Sequence, residues 1–495
     1  MENTLALDND KYLRIQKEEI LNRISRFGTK LYLEFGGKLF DDFHASRVLP
    51  GFHPDSKLKL LLSLKDKCEI IMVINSEDIK NHKIRGDLGI TYDVDVERLI
   101  LKYMRVGLSV CGVVFSFYEK CKAVDSFMRK LKNMGIPVFK HYKIDGYPND
   151  LESVVSSSGL GKNEYIKTTK PVIVVTAPGP GSGKMACCMS QLYHDKEHGI
   201  NSGYAKYETF PIWNLPLKHP VNIAYESATV DLMDENMEDP YHWIAYKKSA
   251  VNYNRDVQAF PLVKELLQKI NGDCPYQSPT DMGVNMVGYA IIDDKIACEA
   301  SKQEIVRRYY QTAKDYLLGK VELNVLEKSK KLLQDAHTTT SSRKCVAPAL
   351  KRAEETGVPC LSIQLPNGRI VVGKRSDLLA ATSAALLNAL KEISGIPDDV
   401  MLLQRSVIKP IQDLKVIELH NANPKIHGEE ILIALAIQAN SNKDAKLAFS
   451  HLQDLEGSEA HSSCILSESD LKLLGKLGIH VTEEPRNYIY KVSLT

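Results

Sequence analysis

A chain of 495 residues exceeds what one hydrophobic core usually supports, and its formal charge of +2, from a quarter of residues charged in mixed sign, gives no whole-chain footprint for nucleic acid or an anionic membrane. No apolar run approaches the roughly 18 residues of a membrane span, and the acidic, polar opening MENTLALDNDKYLRIQ does not read as a signal sequence, so a cytoplasmic protein is expected. The ten cysteines contain no C-x-x-C pair and are expected as reduced thiols without structural zinc.

Four stretches read as strands: KLYLEFGGKLF (30–40), CEIIMVI (68–74), LSVCGVVFSFY (108–118) and IPVFKHYKI (136–144). Between them, DVDVERLILKYMRVG (93–107) and KAVDSFMRKLKNMG (122–135) carry apolar residues at helical spacing and end on Gly107 and Gly135. Regular alternation of strand and helix predicts a parallel sheet wrapped by helices.

VIVVTAPGPGSGKM (172–185) continues the alternation. Val172–Val175 reads as a buried strand, and Met185, Ala186, Met189, Leu192 and Tyr193 predict a helix from Gly183 to His198 that stops at Gly199. A glycine loop between strand and helix can turn backbone N–H groups and the positive helix end toward an anion. Aligned on the phosphate-loop pattern G-x-x-x-x-G-K-[ST], Gly183 and Lys184 match, but Pro178 replaces the first glycine and Met185 replaces the hydroxyl residue that binds Mg²⁺. Gly179, Gly181, Ser182, Gly183 and Lys184 are therefore the ligand-binding candidates. A lysine at a helix start opposes the dipole unless an anion accompanies it. The plain alternative is a rigid turn with Lys184 solvated. Cys187 and Cys188, in the first helical turn, could have lowered thiol pKa values there, but small core residues are the simpler reading.

Residues 203–293 are less regular and rich in polar and aromatic side chains, as functional loops are. Here the Lys206-Tyr207-Glu208 stretch offers a second cation after the loop's helix, with a solvated strand end as the plainer reading. Asn252, Asn254, Arg255 and Asp256 share one turn, where Arg255 either grips a phosphate or carboxylate or forms an ion pair with a neighbour. Asp231, Asp281, Asp293 and Asp294 are candidates to position a metal or base, with an Asx-turn as the plain reading of Asp281 and helix caps as the favoured reading of Asp293 and Asp294. Residues 295–335 read as one or two helices interrupted at Gly319, and HTTTSSRKC (337–345) as a boundary or mobile loop. Beyond it, Asn367-Gly368 marks a hairpin, and alanine- and leucine-rich helices complete a second α/β unit. The histidines match no metal spacing and no G-x-S-x-G elbow occurs. Lys38, Asp41, Asp42, Arg85 and Asp87 lie in glycine turns that could rim the same cleft.

LYLEFGGKLFDDFHASRVLPGF, KIRGDLGITYDVDV, VVTAPGPGSGKM, FPIWNLPLKHPVNIAYESATVDL, AVNYNRD and SPTDMGVN together resemble, over essentially the whole chain, an uncharacterised bacterial family known only by a domain-of-unknown-function label. The resemblance implies a Rossmann-like N-terminal part, a helical segment and a C-terminal α/β part, and supplies no activity. A remoter similarity, through Gly183 and Lys184, is to ATP-dependent ligases of the dethiobiotin synthetase kind.

The expected architecture is thus α/β: a Rossmann-like parallel-sheet region at 1–294 with a glycine-rich strand-loop-helix, helices at 295–335, and a second α/β domain at 336–495. The expected function is a cytosolic enzyme that binds a phosphorylated small molecule or nucleotide at a degenerate phosphate loop, for phosphoryl transfer or ATP-dependent ligation, with Lys184, Asp281 and Arg255 as catalytic candidates. The rival is a non-catalytic phosphometabolite sensor or assembly protein. Neither nucleic acid nor membrane is an expected partner, and a homo-oligomer is open, as are the cofactor, a nucleotide included, and Mg²⁺.

Overall fold

The structure, a computed structural model, describes residues 5–37, 39–40, 42–85 and 89–486. The chain divides into two compact units, Met1–Ser301 and Lys302–Thr495, and the division falls within the helix Asp294–Leu317. Among the described residues no helix is long and apolar enough to cross a membrane.

β-Branched and aromatic runs form the strands of the first unit. In chain order these are β1 (Lys30–Phe35), β2 (Cys68–Asn75), β3 (Ile84–Arg85), β4 (Ile90–Thr91), β5 (Val110–Ser116), β6 (Val138–Lys140), β7 (Val172–Thr176), β8 (Ser202–Tyr207), β9 (Asn236–Glu238), β10 (Val251–Tyr253) and β11 (Gly283–Val284). Seven of them make one all-parallel sheet in the order β11-β8-β1-β7-β2-β5-β6, while β3–β4 and β9–β10 are short antiparallel ribbons.

Both faces of the sheet are covered, which is why β2 and β7 read as near-continuous apolar runs. On one face Leu31, Leu33, Ile70, Met72 and Val174 meet Ile20, Leu60, Val96 and Leu131 from helices. On the other, Tyr32, Ile71, Ile173 and Val175 meet Met189, Leu192, Phe260 and Val263. The chain leaving β1 passes through the first layer to β2, and the chain leaving β7 passes through the second, by way of the helix Lys184–Glu197, to β8. Neighbouring strands whose connections part to opposite faces open a crevice at their carboxyl ends, where doubly wound folds bind ligands.

The second unit holds the helix Leu323–Asp335 and a mixed sheet of β12 (Cys360–Gln364), β13 (Ile370–Lys374), β14 (Glu459–Ser462) and β15 (His480–Glu483), in the order β13-β12-β14-β15. β12 is antiparallel to β13 and β14, and β14 is parallel to β15. Asn367-Gly368 forms the hairpin between β12 and β13, and the helices Ala381–Ser394 and Gly428–Gln438 supply Leu386, Leu390, Ile431 and Leu435 to the core. Of the two readings of the 337–345 segment, a boundary or a mobile loop, the mobile loop does not hold, because the segment is pinned at Arg343. Arg343 is buried and donates from Nε to Thr482 Oγ1 at 3.0 Å and from Nη2 to the carbonyls of Ala460 at 3.0 Å and His480 at 2.6 Å.

Candidate functional site

The glycine loop lies at the crevice, between the end of β7 and the helix Lys184–Glu197. Two neighbouring strand ends hold its carbonyls: Asn75 Nδ2 donates to Gly181 O at 3.5 Å and Ser116 Oγ donates to Ser182 O at 2.6 Å. Because a trans peptide points its N–H opposite its C=O, the N–H groups of Ser182 and Gly183 face away from β2 and β5. Gly183 precedes the helix in the left-handed region (φ +86°), and a Cβ there would stand 3.0 Å from Ser116 Cβ, so only glycine makes this turn without strain. Gly179 lies against the Tyr92 ring, and Gly181 is exposed. No side chain caps the helix start, leaving its first N–H groups open. The Ser182 hydroxyl is buried and has no hydrogen-bond partner among the described residues.

Lys184 is half-buried, and among the described residues nothing bonds its ammonium. Burial holds its pKa below the ordinary lysine range; Glu34 opposes that shift, and the charges of Lys206 and Arg255 add to it. A cation disfavoured by its surroundings and lacking a partner is the arrangement an anion completes.

Beside it the sequence brings together groups far apart in the chain. Lys206, near the end of β8, bonds Asp256 Oδ1 from the helix Asn254–Asn271, and its Nζ lies 3.4 Å from Tyr253 Oη and 3.8 Å from Glu208 Oε1. These three charged side chains are only 14% (Lys206), 11% (Glu208) and 10% (Asp256) exposed, so the expected solvated strand end is instead a buried charge cluster at the crevice. Burial pushes the Glu208 carboxyl well above the usual range, the charge of Asp256 adds to that shift, and the Lys206 ammonium opposes it. Despite burial, Asp256 and its neighbours keep Lys206 charged. Glu34, near the end of β1, accepts from Tyr204 Oη at 2.7 Å.

The other candidates lie elsewhere or are engaged. Arg255 grips Asp234 with both arms, Nε to Oδ1 at 2.7 Å and Nη2 to Oδ2 at 2.7 Å. Asp281 accepts from Tyr246 Oη at 2.8 Å and Gln277 N at 3.0 Å, closing a turn, with no bond to the loop among the described residues. Asp293 accepts from Ile296 N at 3.0 Å, as a helix cap does, and Asp231 is exposed in the turn Val230–Leu232. Asp42 pairs with Lys57 at 2.9 Å and Arg85 with Asp95 at 2.7 Å; Lys38, Asp41 and Asp87 lie outside the described residues. Burial pushes the Cys187 and Cys188 thiols up, against the dipole, and all ten cysteines are free.

One cluster has no sequence signal, because its members are dispersed in the chain. His219 Nε2 lies 2.9 Å from Asp294 Oδ1 and 3.6 Å from Cys298 Sγ. His219 Nδ1 accepts from Val221 N at 3.2 Å, which caps the helix Pro220–Ala228 and places the ring hydrogen on Nε2, facing Asp294. That tautomer presents a hydrogen where a metal needs a lone pair.

The chain matches two family models, "Domain of unknown function DUF1846, N-terminal" over residues 5–337 and "Domain of unknown function DUF1846, C-terminal" over residues 341–491. It is 53% identical over 480 residues to a UPF0371 protein of Streptococcus pneumoniae strain CGSP14, covering 97% of either chain. It is 54% identical over 480 residues to a UPF0371 protein of Streptococcus pneumoniae serotype 2 strain D39, with the same 97% coverage of both. Matched from residue 5 to residue 491 with one short gap, the chain belongs to the DUF1846 family.

Proposed function

We propose that the protein is a cytosolic enzyme that binds a phosphorylated small molecule, a nucleotide being one member of that class, at the loop preceding the helix Lys184–Glu197. The observation that carries this reading is Lys184: a half-buried ammonium with no partner among the described residues, at an uncapped helix start. In this reading the amides of Gly181–Gly183 and the Ser182 hydroxyl donate to phosphate oxygens, and Lys184 supplies the charge. The buried Lys206–Asp256–Glu208 cluster beside the loop favours an enzyme over a sensor, because a carboxyl whose pKa is raised by burial is suited to general acid–base work.

A panel of phosphorylated metabolites and nucleotides, read by thermal unfolding with and without Mg²⁺, tests the reading. A ligand at 100 times its Kd stabilises the unit it binds by about 2.7 kcal/mol, roughly 4 °C for a unit the size of Met1–Ser301. Stabilisation only by ligands that lack phosphate would refute it.

A further inference from the structure

The usual phosphate loop brings a divalent cation, held by the loop hydroxyl and by a carboxylate at a nearby strand end. Here Met185 occupies the hydroxyl position. The carboxylates suitably placed to hold a metal, Glu208 and Asp256, close on an ammonium instead: Lys206 bonds Asp256 and stands 3.8 Å from Glu208. That ammonium is fixed rather than mobile, for its Nζ also lies 5.5 Å from the centroid of the Tyr253 ring and 3.4 Å from the Tyr253 hydroxyl. Among the described residues, Glu34, Glu208 and Asp256 do not bring three ligand atoms within 4.8 Å of one another, as a metal cage would. Lys206 and Lys184 also lie close enough to repel, a repulsion that an anion between them relieves.

We infer that Lys206 is the resident cation of this site, doing the work a divalent metal does in other phosphate-handling enzymes, and that the phosphorylated ligand binds without a metal. The inference rests on the proposed phosphate site for its ligand, and on the Lys206–Asp256–Glu208 geometry for its cation. A compact ammonium on a buried stem delivers one fixed charge and neutralises the carboxylates without the open coordination positions a metal would bring. Removing the charge while keeping the stem should then expose a carboxylate pair that takes up a metal.

The test uses the full chain and two probes, Mn²⁺ followed by electron paramagnetic resonance and inorganic pyrophosphate followed by thermal unfolding. Lys206→Met should bind Mn²⁺ at least about tenfold more tightly than the parent, because the variant removes a positive charge that repels the ion and leaves both carboxylates in place, and the double variant with Glu208→Gln should lose that gain. In the parent, pyrophosphate should stabilise equally in Mg²⁺ and in EDTA. Lys206→Met binding Mn²⁺ no better than the parent would overturn the inference. So would parent Mn²⁺ binding that Glu208→Gln abolishes, or pyrophosphate stabilisation that requires Mg²⁺. Should Lys206→Met fail to fold, the two parent measurements decide alone. Pyrophosphate without effect in either buffer would refute the phosphate site itself, while the Mn²⁺ measurements would still decide the role of Lys206.

Discussion

Two lysines near one crevice differ in what they touch: Lys206 is enclosed by Asp256, Glu208 and Tyr253, while nothing among the described residues bonds Lys184. The place of Lys184 at a helix start was legible in the sequence because it is set by immediate neighbours, the loop glycines and the helix after it. Lys206 was legible only as a second cation, not as a buried one, because Asp256 lies 50 residues further on, and a lysine two residues from a glutamate looks the same solvated or buried. His141 gives a residue-scale prediction. Its Nε2 lies 3.1 Å from Glu164 O, and burial holds its pKa at about 4, below the ordinary 6.5. Between those values the folded protein binds fewer protons than the unfolded chain, so this contribution to stability is complete above pH 6.5 and is lost as pH falls toward 4. At 1.36 kcal/mol per pH unit over that window, the contribution is about 3 kcal/mol. His141→Gln should therefore show a shallower loss of stability between pH 6.5 and 4 in denaturant titrations. An acid slope equal to the parent's would contradict the neutral buried state.

At the scale of elements, periodicity located most strands and helices of the parallel sheet, but not their order. Nothing in the run Val172–Thr176 says that it inserts between β1 and β2, because strand order depends on which connection crosses which face. No element is assigned by sequence reading to residues 9–27, where the structure has the helix Asn9–Phe27, capped by Asp8 accepting from Lys11 N at 2.9 Å. Its polar character hid it: Gln16 and Arg23 are buried through hydrogen bonds rather than apolar contact, Gln16 donating to Val284 O at 2.8 Å. In the second unit, Gly373 of β13 lies directly beneath the helix Ala381–Ser394, and a Cβ there would collide with the backbone of Ala384 and Ala385. Backbone cannot turn aside as a side chain can. Gly373→Val should destabilise by about 3 kcal/mol, the upper part of the overpacking range, and lower the melting temperature of this unit by roughly 6–12 °C. An unchanged melting temperature would mean that helix and strand tolerate separation.

At the scale of the whole molecule, the first unit joins two features that chain reading handled unequally. The doubly wound sheet follows from alternation and from apolar runs buried on both faces, so it was legible; the charge cluster at its carboxyl edge arises only when β1, β8 and the helix Asn254–Asn271 are brought together. Together they place an uncapped helix start, a buried hydroxyl and an unbonded ammonium at the crevice where such folds bind ligands. The most direct test is the equilibrium binding of inorganic pyrophosphate to the parent and to Lys184→Ala, measured by titration calorimetry. The account predicts one site per chain in the parent and affinity at least about tenfold weaker in the variant, the loss of one charge-assisted interaction of 1.4 kcal/mol or more. Equal affinity in the two proteins would make the loop a structural turn and contradict the account.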